Sequence, residues 1–325
     1  MDLLENIKIR NFRGFDEKGI EIDGLSKFNV FVGKNNCGKT SVLEAIFLLA
    51  NLKNRFAANH LNGIRGISDN DSHNLKYLFH NNIFNNGNNP VITGKMSGNT
   101  ERNLKIIPVI DQDTNEVYSY DTKKAVLKSV DFEGNGAEDM PLIYIPTCPS
   151  HKLLVDGLSV VFKENNENII INELNKFDGR IKSVSIIQND IYCSVDGISE
   201  KVKIEMLGDG AYRFLSAIVP MIVKKSRHLC IDEIENGLHY TSQKLLLKSL
   251  LKFSESNNVQ LFITTHNIEI LKNLSEVLEE DEMASMQDFT KIFDIAKTLK
   301  AGFQSYKYSF DGFKILLENE TEIRE

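Results

Sequence analysis

The stretch "NVFVGKNNCGKTSVLEAIFLL", residues 29–49, decides the fold expected for this chain. The run Val30, Phe31, Val32 is entirely hydrophobic and rich in β-branched residues, which predicts a buried strand. Gly33 ends this run, and from Thr40 onward apolar residues recur at the spacing of a half-buried helix. Between the strand and the helix, residues 33–40 match G-x-x-x-x-G-K-[ST] at every fixed position.

This pattern is typical of a loop that binds the phosphate groups of a nucleotide. Glycines let the backbone curl so that several N–H groups point at one centre, and the following helix adds its positive end. Lys39 can then reach the β- and γ-phosphates, and the Thr40 hydroxyl can ligate Mg²⁺. The loop alone does not distinguish ATP from GTP. The predicted nucleotide-binding residues are Asn35, Asn36, Cys37, Gly38, Lys39, Thr40 and Ser41.

Length and composition are those of an ordinary globular protein. A net charge of −7 over 325 residues makes binding of nucleic acid across the whole surface unexpected, although a local basic patch is compatible with it. Apolar runs fall short of the roughly 18 residues of a membrane-spanning helix, and the first residues predict no secretory signal. The cysteines lack C-x-x-C spacing, which argues against zinc and favours a reducing cytoplasm. Cys37 is most simply a neutral bystander, and thiol-sensitive activity is the alternative.

The rest of the chain predicts an α/β protein with a central, mostly parallel sheet. Isoleucines before the loop alternate with charged residues, and from Gly210 onward helices and strands alternate as in a parallel sheet with crossovers. Between them lie β-like runs at 104–110, 123–132 and 141–145, helices within 151–179, and further strands. We expect one domain, 1–325, with its core in 1–52 and about 200–325, and an inserted antiparallel β and helical lobe over about 53–199.

Three further groups fall where a nucleotide hydrolase needs them. Asp232 and Glu233 close the apolar strand of "HLCID", where Asp232 would hold Mg²⁺ and Glu233 would position and deprotonate the attacking water. His266 ends another strand, "VQLFITTH", and Gly208 and Gly210 open a helix in "LGDGAYRFL". Each motif alone has a plainer interpretation: exposed acids at a strand end, a structural histidine, and a glycine helix cap.

The order of these motifs resembles the ATP-binding-cassette ATPase heads of the SMC/RecF group. It is most similar to the small ATPases of AAA type that are related to the OLD (overcoming lysogenization defect) proteins. The similarity rests on "IKIRNFRGF" at residues 7–15, "IDEIENGLHY" at 231–240, "TTH" at 264–266 and the closing segment 306–325. It implies an ABC-type ATPase head and selects ATP over GTP.

The resemblance also implies roles for single residues. Lys39 and Thr40 would bind phosphate and Mg²⁺, Asp232 would be the magnesium carboxylate, Glu233 the catalytic base and His266 the switch histidine. Residues 235–239 match the D-loop at a dimer seam. Residues 207–210 match the signature loop, which in such heads caps ATP held by the opposite subunit. The signature loop includes Gly208, Asp209 and Gly210.

Two positions depart from the family pattern. Gly208 stands where the signature loop usually has serine, which removes one hydrogen-bond donor. The region expected to hold a coupling glutamine has none; only residues 79–81 are available there, so that ligand stays unassigned.

Two functional hypotheses follow from the resemblance. The first is a switch ATPase that forms a homodimer around ATP and regulates a separate effector protein, as in bacterial antiphage systems. The alternative is a RecF-like repair ATPase that binds DNA and loads partners. A Toprim nuclease is not expected, because 325 − 266 = 59 residues follow His266. Lys244, Lys248 and Lys252, and the acidic run 279–282, are predicted to be solvated surface features, with a DNA- or partner-binding ridge as the alternative for the lysines.

Overall fold

The computed structural model describes residues 2–54, 57–67, 72–82, 88–107, 128–129, 140–223, 227–298 and 300–318. Parts of three predicted segments lie outside these residues: 108–110 of the first β-like run, all but 128–129 of the second, and 319–325 of the closing segment. The helices of the described part of the chain are all too short or too polar to cross a membrane.

Strands and helices of the described residues are numbered in chain order. The strands are β1 Leu4–Arg10, β2 Ile20–Asp23, β3 Phe28–Val32, β4 Val91–Met96, β5 Glu101–Ile107, β6 Lys128–Ser129, β7 Leu142–Ile145, β8 Ile181–Ile187, β9 Asp190–Val195, β10 Val202–Lys203, β11 His228–Ile231, β12 Gln260–Thr264, β13 Thr290–Thr298 and β14 Gly302–Tyr308. The α-helices are α1 Lys39–Ala50, α2 Ala57–Ile64, α3 His151–Lys163, α4 Glu167–Phe177, α5 Asp209–Ile222, α6 Tyr240–Asn257, α7 Ile268–Leu278 and α8 Phe310–Glu318. Short 3₁₀ helices lie at Ser72–Leu78, His80–Asn82, Ile204–Leu207 and Asp281–Met286.

The chain divides into two compact units. Unit 1 comprises residues 1–142, 291–308 and 322–325, and unit 2 comprises residues 143–290 and 309–321. The predicted nucleotide-binding core and inserted lobe are defined by function, whereas these two units are defined by compactness. The predicted division therefore stays a prediction.

Unit 1 contains an antiparallel sheet and the strand that leads into the glycine-rich loop. The sheet has the order β2-β1-β4-β5-β6, and the strands β14, β13 and β3 lie side by side in that order. The predicted alternation is confirmed, because Ile7, Ile9, Ile20 and Ile22 are all buried. All five residues of β3 are buried, as its apolar sequence predicts.

Helix α1 is buried more completely than its sequence predicts. The prediction of a half-buried helix is wrong, since every residue of α1 except Thr40 is buried. The group includes Glu44, whose carboxylate accepts hydrogen bonds from Arg13 and Arg65 at 2.9 and 2.6 Å. A carboxylate on a buried helix face is tolerated only when it is paired in this way, so these two arginines allow α1 to lie inside unit 1.

Unit 2 combines a parallel pair of strands with a small antiparallel sheet. β12, β11 and β7 lie in that order, and β10, β9 and β8 form a separate sheet. β11 and β12 are parallel, with His228 opposite Gln260 and Ile231 opposite Ile263. Their carboxyl ends therefore lie at one edge, as predicted, and the residues that follow them emerge there together.

The three lysines of α6, for which a binding ridge was the alternative prediction, are paired with acids. Lys244, Lys248 and Lys252 lie along α6, and each forms an ion pair with a carboxylate from the segment 276–282. The pairs are Lys244–Glu276, Lys248–Glu280, Lys248–Glu282 and Lys252–Glu282. Hydrogen bonds from Lys248 and Lys252 lower the pKa of Glu282 to about 2. The lysines thus do not form an uncompensated basic surface.

We expect Gly38→Ala to destabilise the protein more than Gly98→Ala does. Both glycines have positive φ, 99° and 100°, so that either alanine costs about 1–2 kcal/mol in backbone strain. Only at Gly38 would the new methyl group meet a side chain, lying 2.7 Å from Phe15 Cζ, whereas Gly98 has open space. Overpacking should add about 1–3 kcal/mol for Gly38→Ala, measured by urea unfolding. Equal losses in both variants would show that Phe15 moves aside without cost.

Candidate functional site

Two glycines of the loop between β3 and α1 lie where a side chain would not fit. Gly33 and Gly38 have positive φ, 136° and 99°. A methyl group on Gly33 would lie 2.3 Å from the Ile295 carbonyl oxygen, and one on Gly38 would lie 2.7 Å from Phe15. The glycines therefore let the loop curl close to its neighbours, and this cradle fits a phosphate group bound by backbone N–H groups.

Lys39 is held inside this loop by its own backbone. Its ammonium group donates hydrogen bonds to the carbonyl oxygens of Gly33 and Lys34, both at 2.8 Å. The residue is 8% exposed and lies in the first turn of α1, where the helix dipole is positive. The charge of Lys39 and the positive end of the α1 dipole thus lie at the same place in unit 1.

The other predicted loop residues differ in exposure. Asn35 and Asn36 are exposed, Thr40 is half-buried, and Cys37 and Ser41 are buried. Burial raises the pKa of the Cys37 thiol, and the nearby Lys39 charge lowers it by less. A buried thiol of raised pKa is a poor nucleophile, which favours the bystander interpretation of Cys37.

Asp294 is a loop neighbour that the sequence analysis missed. It lies on β13, and its Oδ1 would be 3.2 Å from a methyl group placed on Gly33. Burial raises the pKa of Asp294 to about 6, while the charge of Lys39 acts in the opposite direction. The available signal was an acid inside the otherwise apolar run "IFDIA", but nothing in the sequence pairs that run with the loop.

In unit 2, Asp232 lies at the edge formed by the carboxyl ends of β11 and β12. Its Oδ1 accepts a 2.6 Å hydrogen bond from the Thr264 hydroxyl, and its Oδ2 accepts a longer one, 3.4 Å, from Thr147. The residue is 5% exposed. Threonine hydroxyls from two other strand ends therefore fix the carboxylate that the sequence predicts as a magnesium ligand.

Glu233 follows with an unusual backbone. Its φ is +46°, in the left-handed region that residues other than glycine rarely adopt. The Glu233 N–H donates to Thr264 Oγ1 at 2.8 Å, and the Ile234 N–H donates to the Thr264 carbonyl at 3.1 Å. Thr264 thus holds a conformation that costs about 1–3 kcal/mol, as is common at functional sites.

Arg213 of α5 holds the same turn from the other side, and it was not predicted. It is 3% exposed, and its guanidinium group donates to four backbone carbonyl oxygens. The acceptors are Pro146 at 2.7 Å, Thr147 at 3.4 Å, Asp232 at 2.6 Å and Glu233 at 3.1 Å. Burial lowers the pKa of Arg213, and the charges of Asp232 and Glu235 oppose that effect. No local sequence pattern identifies a residue whose partners are carbonyls 19 to 67 positions away.

His266 contacts the D-loop. The Glu235 carboxylate accepts a 3.0 Å hydrogen bond from the His266 backbone N–H, and His266 Nδ1 lies 3.1 Å from the same oxygen. Asn236 of the D-loop donates to the Thr147 carbonyl at 3.2 Å. The structure therefore brings His266, the D-loop and the acid pair together within unit 2.

The signature loop also lies against the D-loop. Gly208 has φ +98° and precedes α5 without a side-chain cap. A methyl group on Gly210 would lie 3.2 Å from the Gly237 carbonyl oxygen and 3.1 Å from Phe177. Gly208, Asp209 and Gly237 are exposed, so the two loops share one surface of unit 2.

The coupling position stays unassigned. Residues 79–81, which the sequence left available, lie in unit 1, where Phe79 pairs with Phe12 and His80 Nδ1 lies 3.2 Å from the Arg13 carbonyl oxygen. Thr147, which follows β7 and bonds Asp232, was not predicted, because nothing in its context, "YIPTCPS", marks it as a partner of that acid.

The donor atoms suit magnesium chemically. Thr40 and Asp232 offer hydroxyl and carboxylate oxygens, the ligands that Mg²⁺ prefers. Among the described residues, no group of three or more His, Cys, Asp or Glu side chains could hold a metal ion alone. In proteins, Mg²⁺ is typically held by one or two protein oxygens together with substrate phosphates and water.

The chain is similar in sequence to known proteins. A protein of Helicobacter pylori named ATP/GTP phosphatase is 24% identical over 344 residues, covering 90% of this chain and 92% of that protein. The DNA replication and repair protein RecF of Lysinibacillus sphaericus is 39% identical over 66 residues, 20% of this chain and 17% of RecF. The first similarity is global and the second is local.

Solved SMC heads confirm the predicted fold class. The Pyrococcus furiosus Smc head domain with an extended coiled coil, bound to the C-terminal domain of ScpA, aligns with a TM-score of 0.54 and 12% identity. That alignment covers 99% of this chain and all of the other. An SMC head bound to the C-winged helix domain of ScpA gives 0.53 and 12%, over 95% and 98% of the two chains. At this identity the likeness shows the fold alone.

Family models match along most of the chain. The model described as "AAA domain, putative AbiEii toxin, Type IV TA system" matches residues 151–272. The model of the AAA ATPase domain matches residues 3–192, which is more than half of the chain. The chain therefore belongs to the AAA ATPase domain family.

Proposed function

We propose that this chain is a magnesium-dependent, cytoplasmic switch ATPase related to the OLD proteins, which dimerises around ATP and regulates a separate effector. The observation that carries the proposal is the contact between the signature loop and the D-loop on one exposed surface of unit 2. The N–H groups in the first turn of α5, beside an exposed turn, suit the phosphates of a nucleotide that another subunit holds.

In this proposal, each residue identified in the sequence analysis has one role in hydrolysis. Lys39 and the N–H groups of the loop bind the β- and γ-phosphates, and Glu233 accepts a proton from the attacking water. The water oxygen bonds to the γ-phosphorus as the bond to the bridging oxygen of ADP breaks. Thr40 and Asp232 would hold Mg²⁺, which neutralises phosphate charge. His266, oriented by Glu235, would contact the γ-phosphate.

ATP is the proposed nucleotide, and GTP is the competing one. The name of the Helicobacter pylori relative includes both nucleotides. The resemblance to SMC/RecF heads favours ATP, and parallel titrations with ATP and GTP decide between them.

We expect Lys39 and Glu233 to separate nucleotide binding from hydrolysis. Lys39→Ala should abolish ATP binding, because the phosphates lose their buried cation. Glu233→Gln should bind ATP normally while its turnover falls by roughly 10² or more, the size of a general-base contribution. Isothermal titration gives the affinity and phosphate release gives the turnover.

The control for Lys39→Ala is Lys34→Ala, which removes an exposed lysine of the same loop and should leave binding measurable. If Glu233→Gln turns over ATP as fast as the wild type, Glu233 is not the base.

The second expectation concerns assembly. With ATP, Glu233→Gln should form a dimer, or tighten an existing one, because uncleaved ATP keeps the two heads joined. Gly210→Asp in that background should abolish the change, since its side chain would crowd Phe177 and Gly237 and bring a negative charge to the phosphate. Light scattering with and without ATP measures the mass.

Gly179→Asp is the matched control, because it adds the same negative charge to the same unit. A methyl group on exposed Gly179 would meet only Asn175, at 3.9 Å, so this variant should still dimerise. A monomer that hydrolyses ATP at the wild-type rate would contradict the proposed role of the signature loop.

The alternative to effector regulation is a RecF-like role on DNA. The local similarity to RecF supports this alternative. The net charge of −7 and the pairing of the α6 lysines with acids favour the effector.

We therefore expect ATPase activity without cleavage of DNA or RNA in Mg²⁺ or Mn²⁺, and no salt-dependent DNA affinity near physiological ionic strength. Gel-based cleavage and fluorescence anisotropy test both statements, and copurification with mass spectrometry identifies an effector. Tight DNA binding that weakens steeply with salt would support the RecF-like role instead. Nicking that disappears in Asp232→Ala would contradict the switch proposal.

A further inference from the structure

Asp294 places a carboxyl group beside the loop that should receive phosphates. One point next to Gly33, where a methyl group would stand, is 2.9 Å from Cys37 Sγ and 3.2 Å from Asp294 Oδ1. The Ile295 carbonyl oxygen lies 2.3 Å from the same point. An acid therefore lies against the first residue of a loop whose ligand is itself an anion.

Lys39 is the buried cation of the same loop. Its ammonium group bonds the carbonyl oxygens of Gly33 and Lys34, and Gly33 is the residue that Asp294 approaches. The positive charge of Lys39 favours the ionised form of Asp294, whereas burial opposes it and holds the pKa at about 6. Charges interact strongly where water is excluded, so the state of Asp294 depends on what Lys39 binds.

The other titratable groups around Asp294 are a thiol and two phenols. Burial raises the pKa of Cys37, and the Asp294 charge adds to that effect. Burial, and then the charges of Asp294 and Tyr306, raise the pKa of Tyr308 on β14. Tyr306 is the cross-strand partner of Asp294. In this cluster, the charge that lowers the pKa of Asp294 is that of Lys39.

We propose that Asp294, which lies against the first residue of the loop, takes up a proton when a nucleotide phosphate binds the loop. The inference rests on the proposed function, since it assumes that nucleotide phosphates occupy the loop. Arriving phosphates engage Lys39 and add negative charge, and both effects disfavour the carboxylate.

The sign of the pH dependence follows from this coupling. If binding raises the pKa of Asp294 above about 6, the complex holds more protons than the free protein at pH 6–7. Affinity should then rise as pH falls from 8 to 6. Asp294→Asn, which cannot ionise, should bind more tightly than the wild type at pH 8, by about tenfold for one pKa unit of coupling.

The experiment titrates ADP into the wild type, Asp294→Asn and the control Asp23→Asn at pH 6, 7 and 8. Asp23 is an exposed carboxyl at the end of β2 in the same unit. We expect wild type and Asp23→Asn to lose about fivefold more affinity between pH 6 and pH 8 than Asp294→Asn does, for one pKa unit of coupling. Calorimetry in buffers of different ionisation enthalpy should show proton uptake in the wild type that Asp294→Asn lacks.

A measurement without nucleotide tests the charge state of Asp294 itself. A carboxyl whose pKa is raised from 3.8 to about 6 on folding destabilises the folded protein increasingly as pH rises through that range. Asp294→Asn should therefore melt above the wild type at pH 8, and the difference should shrink toward pH 4.5.

The outcomes separate the two proposals. If the wild type binds no nucleotide, the proposed function fails and the coupling fails with it. If the wild type binds ADP with the same pH dependence as Asp294→Asn, only the role of Asp294 is overturned. A melting difference that does not change with pH would likewise overturn it.

Discussion

The arrangement of unit 2 depends on one buried cation, the guanidinium group of Arg213. Its hydrogen bonds to four carbonyl oxygens tie the start of α5 to the chain that follows β7 and β11. A planar group with a fixed fork of donors can hold several carbonyls at set angles, which a lysine cannot do. The acid pair, the D-loop and the signature loop are therefore positioned relative to one another by a residue that carries none of their chemistry.

Thr264 complements this arrangement from the neighbouring strand. Its hydroxyl donates to the Asp232 carboxylate and accepts from the Glu233 N–H, so that one side chain sets the carboxylate and the backbone of the next residue. Because β11 and β12 are parallel and in register, the end of one strand delivers this hydroxyl to the end of the other. The positions of Asp232 and Glu233 are therefore set by the pairing of β11 with β12, without a long loop.

Much of the fold and part of the site could be predicted from the sequence. The loop of residues 33–40, the acids after β11 and His266 after β12 are marked by apolar strands that end at chemically distinctive residues. Arg213, Thr147 and Asp294 could not be predicted, because their partners are distant along the chain and depend on which strands lie side by side. The burial of α1 was also missed, since Glu44 resembles a surface residue until its arginine partners are known.

The left-handed backbone of Glu233 has a consequence for how this chain can change. Glycine or asparagine would adopt that conformation more easily, so random substitution at this position offers variants that are more stable than the parent. Such variants would lack the carboxylate. A population screened only for thermal resistance would accordingly accumulate proteins without the group proposed as the catalytic base, and under that proposal thermal resistance would be a misleading measure of fitness.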